Sequence, residues 1–298
     1  MTATTQDYFK LHFIVFLWGF TAVLGKLISI PSVEMVFYRT LLAAVGMGVV
    51  MLFLQKPFSV SGNDLLKIFL TSIIVAIHWI TFFSSGKISN PSTSLVGFAT
   101  CSFWAALIEP LVKGKKIHWL EIGLGCVVLI GLGIILAFNF QHPLGLFLGV
   151  ISGLTAAIFS VINSRLIHRV NAYTITFYEM LGACFVILLF MPIYQALAHT
   201  SLNLEASLLD WMYIAIMAWA CSVYAFSVSI NLSRKISVFF IQLALNLEPV
   251  YGILLALIIF GSQEVMSLNF YVGTFIVLSA VVLYPVLKKK FQDTVPAQ

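Results

Sequence analysis

Residues 235–261, KISVFFIQLALNLEPVYGILLALIIFG, decide the fold. This long apolar run opens on the basic pair Arg234 and Lys235, carries Gln242, Asn246 and Glu248 at its centre, and continues through Pro249. An ionisable group in the middle of a hydrocarbon-length helix is costly and marks a functional site by default. Pro249 loosens the same helix, because proline lacks an N–H donor and crowds the preceding turn. The stretch has an echo earlier in the chain. Ser85-Gly86-Lys87-Ile88-Ser89 reads like Ser233-Arg234-Lys235-Ile236-Ser237, and each opens an apolar run that ends near a glycine, Gly114 and Gly261. Two related halves are expected, with the function between them.

Working outward, the 298 residues are 61% hydrophobic and only 9% charged. A soluble domain carries roughly 25% charged residues, so the chain is a polytopic, all-α membrane protein. A membrane span needs roughly 20 mostly apolar residues. Ten such runs are present, at about 11–29, 33–54, 65–85, 90–111, 118–138, 143–165, 172–194, 209–231, 236–260 and 267–287. The first has no small-residue cleavage site after it and reads as an uncleaved span. Connections are short, which leaves no room for a soluble catalytic domain. A phosphate loop is excluded too: Gly19 and Gly25-Lys26 are separated by five residues where the motif has four, and no Ser or Thr follows. Cys101, Cys126, Cys184 and Cys221 all lie in apolar runs without metal-like spacing, so neither metal nor cofactor is expected.

The net charge of +5 is distributed as a topology signal and does not mark a nucleic-acid partner. With the N-terminus in the cytoplasm, Lys10, Lys56, Lys67, Lys113, Lys115, Lys116, Arg165, Arg169, Arg234, Lys235 and Lys288 to Lys290 fall inside. Only Lys26 and Lys87 fall outside. That asymmetry predicts an even number of spans and two cytoplasmic termini.

The repeat extends further. Phe37-Tyr38-Arg39 in span two matches Phe177-Tyr178-Glu179 in span seven, and Asn63-Asp64-Leu65 matches Leu209-Asp210-Trp211. Five spans per repeat is an odd number, so the halves, 1–140 and 141–298, are inverted. Inverted repeats place a solute site near the midplane where they meet. Glu109-Pro110 mimics Glu248-Pro249, but the lysine and glycine landmarks put the two at different depths. Glu109 reads as an interfacial carboxylate partnered by Lys113, one turn on.

Several side chains could line the site. Trp18, Trp79, Trp104, Tyr178, Trp219 and Tyr224 lie deep in spans, where aromatic walls suit organic solutes with apolar parts. Packing or lipid contact explains any one of them equally well. Trp119, Trp211, Tyr213 and Tyr284, near span ends, read as interfacial anchors. His78 is the histidine deep within a span, and Asn163 with Ser160 is similarly placed; relay, solute binding and a structural hydrogen bond all remain open for them. Gln242 and Asn246, one turn apart, either bind solute or staple helices. Arg39 and Glu179 are candidate gating or coupling groups, against local ion pairing or snorkelling. Gly145, Gly149, Gly153 and Ala157 form a small-residue stripe that lets helix backbones approach.

Leu17-Trp18-Gly19, Phe37-Tyr38-Arg39, the glycine-rich fifth span and Leu247-Glu248-Pro249-Val250, in this order and spacing, resemble the EamA-type bacterial branch of the drug/metabolite transporter superfamily. In the first half, Ser102 stands where the landmarks would put a counterpart of Pro249. The resemblance implies a carrier of small metabolites in the bacterial cytoplasmic membrane, often an amino-acid exporter, working by alternating access without ATP. The expected solute site lies among spans one, three, four, six, eight and nine. Glu248 leads for solute binding or proton coupling, protons being the candidate coupling ion. A monomer or homodimer is expected. The rival readings are a passive channel and a structural membrane protein. A membrane enzyme would need paired intramembrane aspartates or clustered histidines, and the sequence has neither arrangement.

Overall fold

The computed structural model describes residues 3–135, 142–199, 201–248, 250–251 and 268–293. Among these the regular structure is helical throughout. Span one is α1 (Thr5–Gly19) and α2 (Thr21–Leu27), span two α3 (Ser32–Phe53), span three α4 (Gly62–Ile88). Span four is α5 (Pro91–Ala99) and α6 (Cys101–Val112), followed by α7 (Trp119–Ile135), α8 (Pro143–Leu166) and α9 (Ala172–Ala198). Span eight is α10 (Leu208–Ile216), a π-helix (Met217–Phe226) and α11 (Ser227–Leu232). Span nine begins with α12 (Val238–Leu245), and span ten is α13 (Leu268–Asp293). Pro249, residues 252–260 and Gly261 lie outside the described residues. Among the described residues eight helical stretches are long and apolar enough to cross a membrane, and α7 contributes a shorter apolar one. The chain is a multi-pass membrane protein.

Helix starts follow from capping chemistry. Thr4, Ser61, Asn90, Ser207 and Ser237 each accept a backbone N–H three residues on. Each satisfies one donor that a helix N-terminus leaves open. Pro91 and Pro143 occupy first helical positions, where no donor is lost.

Between membrane helices there is little hydrophobic driving force, so close packing and polar contacts hold the bundle. The stripe on α8 packs in this way. A Cβ added at Gly97 of α5 would lie 2.6 Å from the Gly149 backbone, and one at Gly153 would lie 2.7 Å from the Phe98 carbonyl oxygen. At the far end of α8, Ser85 Oγ donates to the Gly145 carbonyl at 2.6 Å.

Two rims result. One carries the start of α1, the Lys56 and Arg165–Arg169 turns, Lys113, Lys235 and Lys288. The opposite rim carries the α2–α3 turn and the end of α4. At the first rim Lys235 pairs with Asp7 at 3.0 Å. At the second, Lys87 donates to the carbonyls of Ile28 and Ile30, and Asp210 accepts from the backbone and hydroxyl of Ser29, each at 2.7 Å.

Tyr284 corrects one expectation. It is buried, not interfacial, and donates to Glu121 Oε1 at 2.6 Å while accepting from Lys288. The phenol reaches the α7 carboxylate because α7 and α13 pack along their length.

Candidate solute site

A cavity runs through the middle of the bundle. Its walls come from α1–α2 (Trp18, Thr21), α3 (Arg39), α4 (His78, Trp79, Phe82, Phe83) and α5 (Phe98). The remainder comes from α8 (Phe159, Ser160, Asn163), the π-helix and α11 (Phe226, Ser229, Ile230) and α12 onward (Ile241, Gln242, Leu245, Glu248). All six spans named from sequence contribute, and span two joins them through Arg39.

The helices that line it are irregular at the cavity. The ladder tightens for one turn at Phe20, Thr100 and Asn246-Leu247, where N–H groups bond three residues back. Mid-helix tightening of this kind marks hinges. Hydroxyls assist two of the bends: Thr21 donates to the Trp18 carbonyl at 2.7 Å and Thr100 to that of Gly97 at 2.8 Å. Such back-bonding bends helices. In span eight the π-helix lets Ser222 Oγ donate to the carbonyl of Met217, five residues back, at 3.1 Å. It also presents the Cys221 carbonyl to the indole N–H of Trp18 at 3.0 Å.

Arg39 is buried in this wall. Its Nε donates to Ser222 Oγ at 2.9 Å, and its Cζ lies 4.2 Å from the Trp79 ring centroid and 5.5 Å from that of Phe83. A desolvated cation on an aromatic face gains about 2 kcal/mol, which holds the guanidinium against Trp79. No Asp or Glu among the described residues pairs with it. Glu248 is 3% exposed and has no hydrogen-bond or ion-pair partner among the described residues.

His78 Nδ1 lies 2.9 Å from the Ser152 carbonyl oxygen. The Ser152 hydroxyl lies 2.9 Å from the same nitrogen; with the proton on Nδ1 the ring donates to the carbonyl and Nε2 is left as an acceptor. The ring sits among Phe82, Phe98 and Phe159. Gln242 Nε2 donates to Ser160 Oγ at 2.7 Å, and Asn163 Nδ2 to Glu179 Oε2 at 3.1 Å. The carbonyl oxygens of both amides, with Glu179 Oε1, are buried and unbonded.

Other sequence candidates lie elsewhere. Asn246 points away from the cavity and donates to Ser102 Oγ at 3.0 Å, stapling span nine to α6. Glu179 lies behind Asn163. Trp104 is half-buried on α6 against Phe103, and Tyr178 donates to the Phe58 carbonyl at a rim. Trp219 and Tyr224 are 51% and 42% exposed on the outer face of the π-helix, where the bilayer suits aromatic side chains. Glu109 is paired with Lys113 at 2.7 Å, as its spacing suggested. It also accepts from the backbone N–H groups of Val238 and Phe239 at 3.1 and 2.8 Å. Hydrogen bonds to a charged group contribute about 1.5–3 kcal/mol, against about 0.6 for a typical side-chain bond between membrane helices. Glu109 therefore anchors α12 more strongly than Gln242 or Asn246 does. Sequence spacing names the lysine but carries no signal for this long-range cap.

A multi-pass bundle enclosing a partly polar cavity, reached by several broken helices, has the build of a membrane transport protein. The profile described as "EamA-like transporter family" matches residues 9–137 and again 143–284. The chain belongs to that family, which is one of transporters and not of enzymes. A solved structure titled "Crystal structure of protein" is similar over 96% of this chain and all of its own, with a TM-score of 0.76 at 11% identity. It supports the fold alone.

Proposed function

We propose that the chain is a secondary-active exporter of small organic metabolites, amino acids among them, across a bacterial cytoplasmic membrane. It works by alternating access without ATP, with both termini cytoplasmic. Its ten spans form inverted halves, 1–140 and 141–298.

Three features support the inversion. Lys87 and Lys235, echoed in sequence, tie opposite rims. Asp64 and Asp210, each three residues after a capping serine, reach the turn of the other half: Asp64 pairs with Arg169 at 3.6 Å and Asp210 holds Ser29. The tightened turn at Thr100, 13 residues beyond Lys87, matches the one just before Glu248, 13 residues beyond Lys235. Discontinuous helices at matched depth are how inverted-repeat carriers build their sites.

The observation that carries the function is the cavity between the halves, walled by aromatic rings and lined by Arg39 and Glu248, neither of which is in an ion pair among the described residues. Glu248 binds solute or carries the coupling proton. Glu179, joined to the cavity through Asn163, is the second coupling candidate. The test is solute flux into proteoliposomes by Glu248→Gln, with and without a pH gradient. Loss of gradient-driven accumulation is expected, with downhill exchange retained. Unchanged gradient dependence removes Glu248 from coupling, and flux that only dissipates gradients in the unmodified protein replaces the carrier with a pore.

A further inference from the structure

Arg39 presents a buried cation to the cavity with most of its hydrogen-bonding capacity unused. Trp79 covers one face of the guanidinium and Ser222 takes the Nε edge. Among the described residues the fork formed by Nη1 and Nη2 has no protein acceptor, and neither nitrogen is a sealed, unbonded atom. A buried charge without a partner is expensive, and burying this one beside a cavity makes sense when an anion arrives there. The Nη fork matches the two oxygens of a carboxylate, or two of a phosphate, in parallel hydrogen bonds. The cavity wall is otherwise largely aromatic: Phe82, Phe83, Phe98, Phe159 and Phe226 line it, with Phe226 in ring contact with Phe159 and Trp79.

We infer that Arg39 is the anion anchor of the solute, and that the solute is an organic oxyanion on a flat apolar body. This rests on the cavity being the solute site. Ser222 is the positioning residue: its hydroxyl, on the π-helix, accepts from Arg39 Nε and leaves the Nη nitrogens free of it. His78 Nε2, an acceptor, selects for a donor on the solute body. Glu248 sits on a different helix and is not paired with Arg39, so the anchor and the acid contact separate parts of the solute.

The experiment uses the purified full chain and closely matched pairs of an anion with a neutral isostere: indole-3-acetate with indole-3-acetamide, and phenyl phosphate with phenyl sulfamate. Thermal stabilisation is expected from the anions and not from their neutral partners, since only a ligand that binds the native state raises stability. Phosphate-only or carboxylate-only stabilisation identifies which oxyanion the fork takes. Arg39→Gln is expected to erase the preference and Arg39→Lys to weaken anion affinity about tenfold, because a lysine lacks the planar fork. Should those variants not fold, phenylglyoxal modification of Arg39 in the unaltered protein, mapped by mass spectrometry, gives a second readout. Indole-3-acetate is expected to slow modification at least fivefold, and the amide to leave it unchanged. Equal protection by acid and amide, no protection by either, or an Arg39 that phenylglyoxal never reaches overturns the anchor. Glu248-dependent flux of neutral solutes without acid preference would overturn it while leaving the carrier reading intact.

Discussion

The wall built by α4 and α8 and the wall built by span one with span eight occupy matching places under the five-plus-five reading, and they are made differently. α4 and α8 are uninterrupted helices of 27 and 24 residues. They are joined by backbone-directed contacts, Ser85 to the Gly145 carbonyl and His78 to that of Ser152. Against them α5 presses Gly97 onto Gly149. Span one breaks at Phe20, and span eight passes through a π-helix. Their central contact is the indole of Trp18 on the Cys221 carbonyl. One wall is a stiff, small-residue seam. The other holds the irregular backbone that a rocking motion needs, and it contributes Ser222 behind Arg39. On the proposed rocking mechanism, such a pair divides into a frame and a moving part.

The largest effect that can break this contrast is at the seam. Gly97→Val would drive a side chain into the Gly149 backbone, which cannot move aside as a flexible side chain could. Overpacking costs about 1–3 kcal/mol and sometimes more, and this site belongs at or above the top of that range. Loss of folded protein in detergent, measured by size exclusion and thermal unfolding, is expected. Gly123→Ala on α7, where an added Cβ meets nothing within 4 Å, is the control and should leave stability unchanged or slightly raised. A stable, active Gly97→Val protein would show that the seam is no frame.

Next in size is the irregular wall. Ser222→Ala leaves Arg39 Nε without its acceptor, and a hydrogen bond to a charged group is worth about 1.5–3 kcal/mol. A loss of about 2 kcal/mol in unfolding stability is expected, with weaker binding of anions. On the stiff wall the matching change, Ser152→Ala, should cost less than about 0.5 kcal/mol. With its proton on Nδ1, His78 donates to the Ser152 backbone carbonyl, which alanine keeps, and the hydroxyl at the same 2.9 Å adds little. A cost near 1 kcal/mol would instead mean that the Ser152 hydroxyl donates to Nδ1, and the acceptor assigned to Nε2 would be lost.

How much of this was legible beforehand depends on what each feature is made of. Span positions were legible because apolar run length is a local property, and the capped starts at Gly62, Pro91, Pro143, Leu208 and Val238 lie within about three residues of the runs, whereas α1 begins at Thr5, well before the run at 11, because its first turn is polar. The seam was legible from its four-residue spacing. Glu248, Gln242, Asn163, His78, Trp18, Trp79 and Arg39 stood out as polar or aromatic groups at depth, and the structure gathers them round one cavity. The same rule also named Trp104, Tyr178, Trp219 and Tyr224, because depth does not say which way a side chain faces. Rotation about a helix axis is set by packing partners, and those are remote in sequence. The π-helix was invisible for a related reason: the run 217–226, MAWACSVYAF, has no glycine or proline to announce it. Glu109 capping α12 joins residues about 130 apart, beyond any local pattern.

The smallest effect concerns the two rims. Lys235 and Asp7 form a half-exposed pair, worth up to about 1 kcal/mol, while Lys87 holds the α2–α3 turn through two carbonyls. If the walls rock about the cavity, each lysine biases one rim toward closure, and its loss should change accessibility far more than stability. A reporter cysteine at Ser229, which lines the cavity, can be labelled in oriented vesicles by a membrane-impermeant thiol reagent once exposed Cys126 is replaced by serine. Lys87→Met should raise labelling from the side of the α2–α3 turn, and Lys235→Met from the side of the N-terminus. Each change should be about fivefold at most, the population shift that ~1 kcal/mol allows. Both variants raising labelling from the same side would place the two lysines on one face of the membrane, and the inverted arrangement would fall with the rocking motion built on it. No change in either would leave the architecture standing and move the gates elsewhere, with Glu179 behind Asn163 the next group to vary.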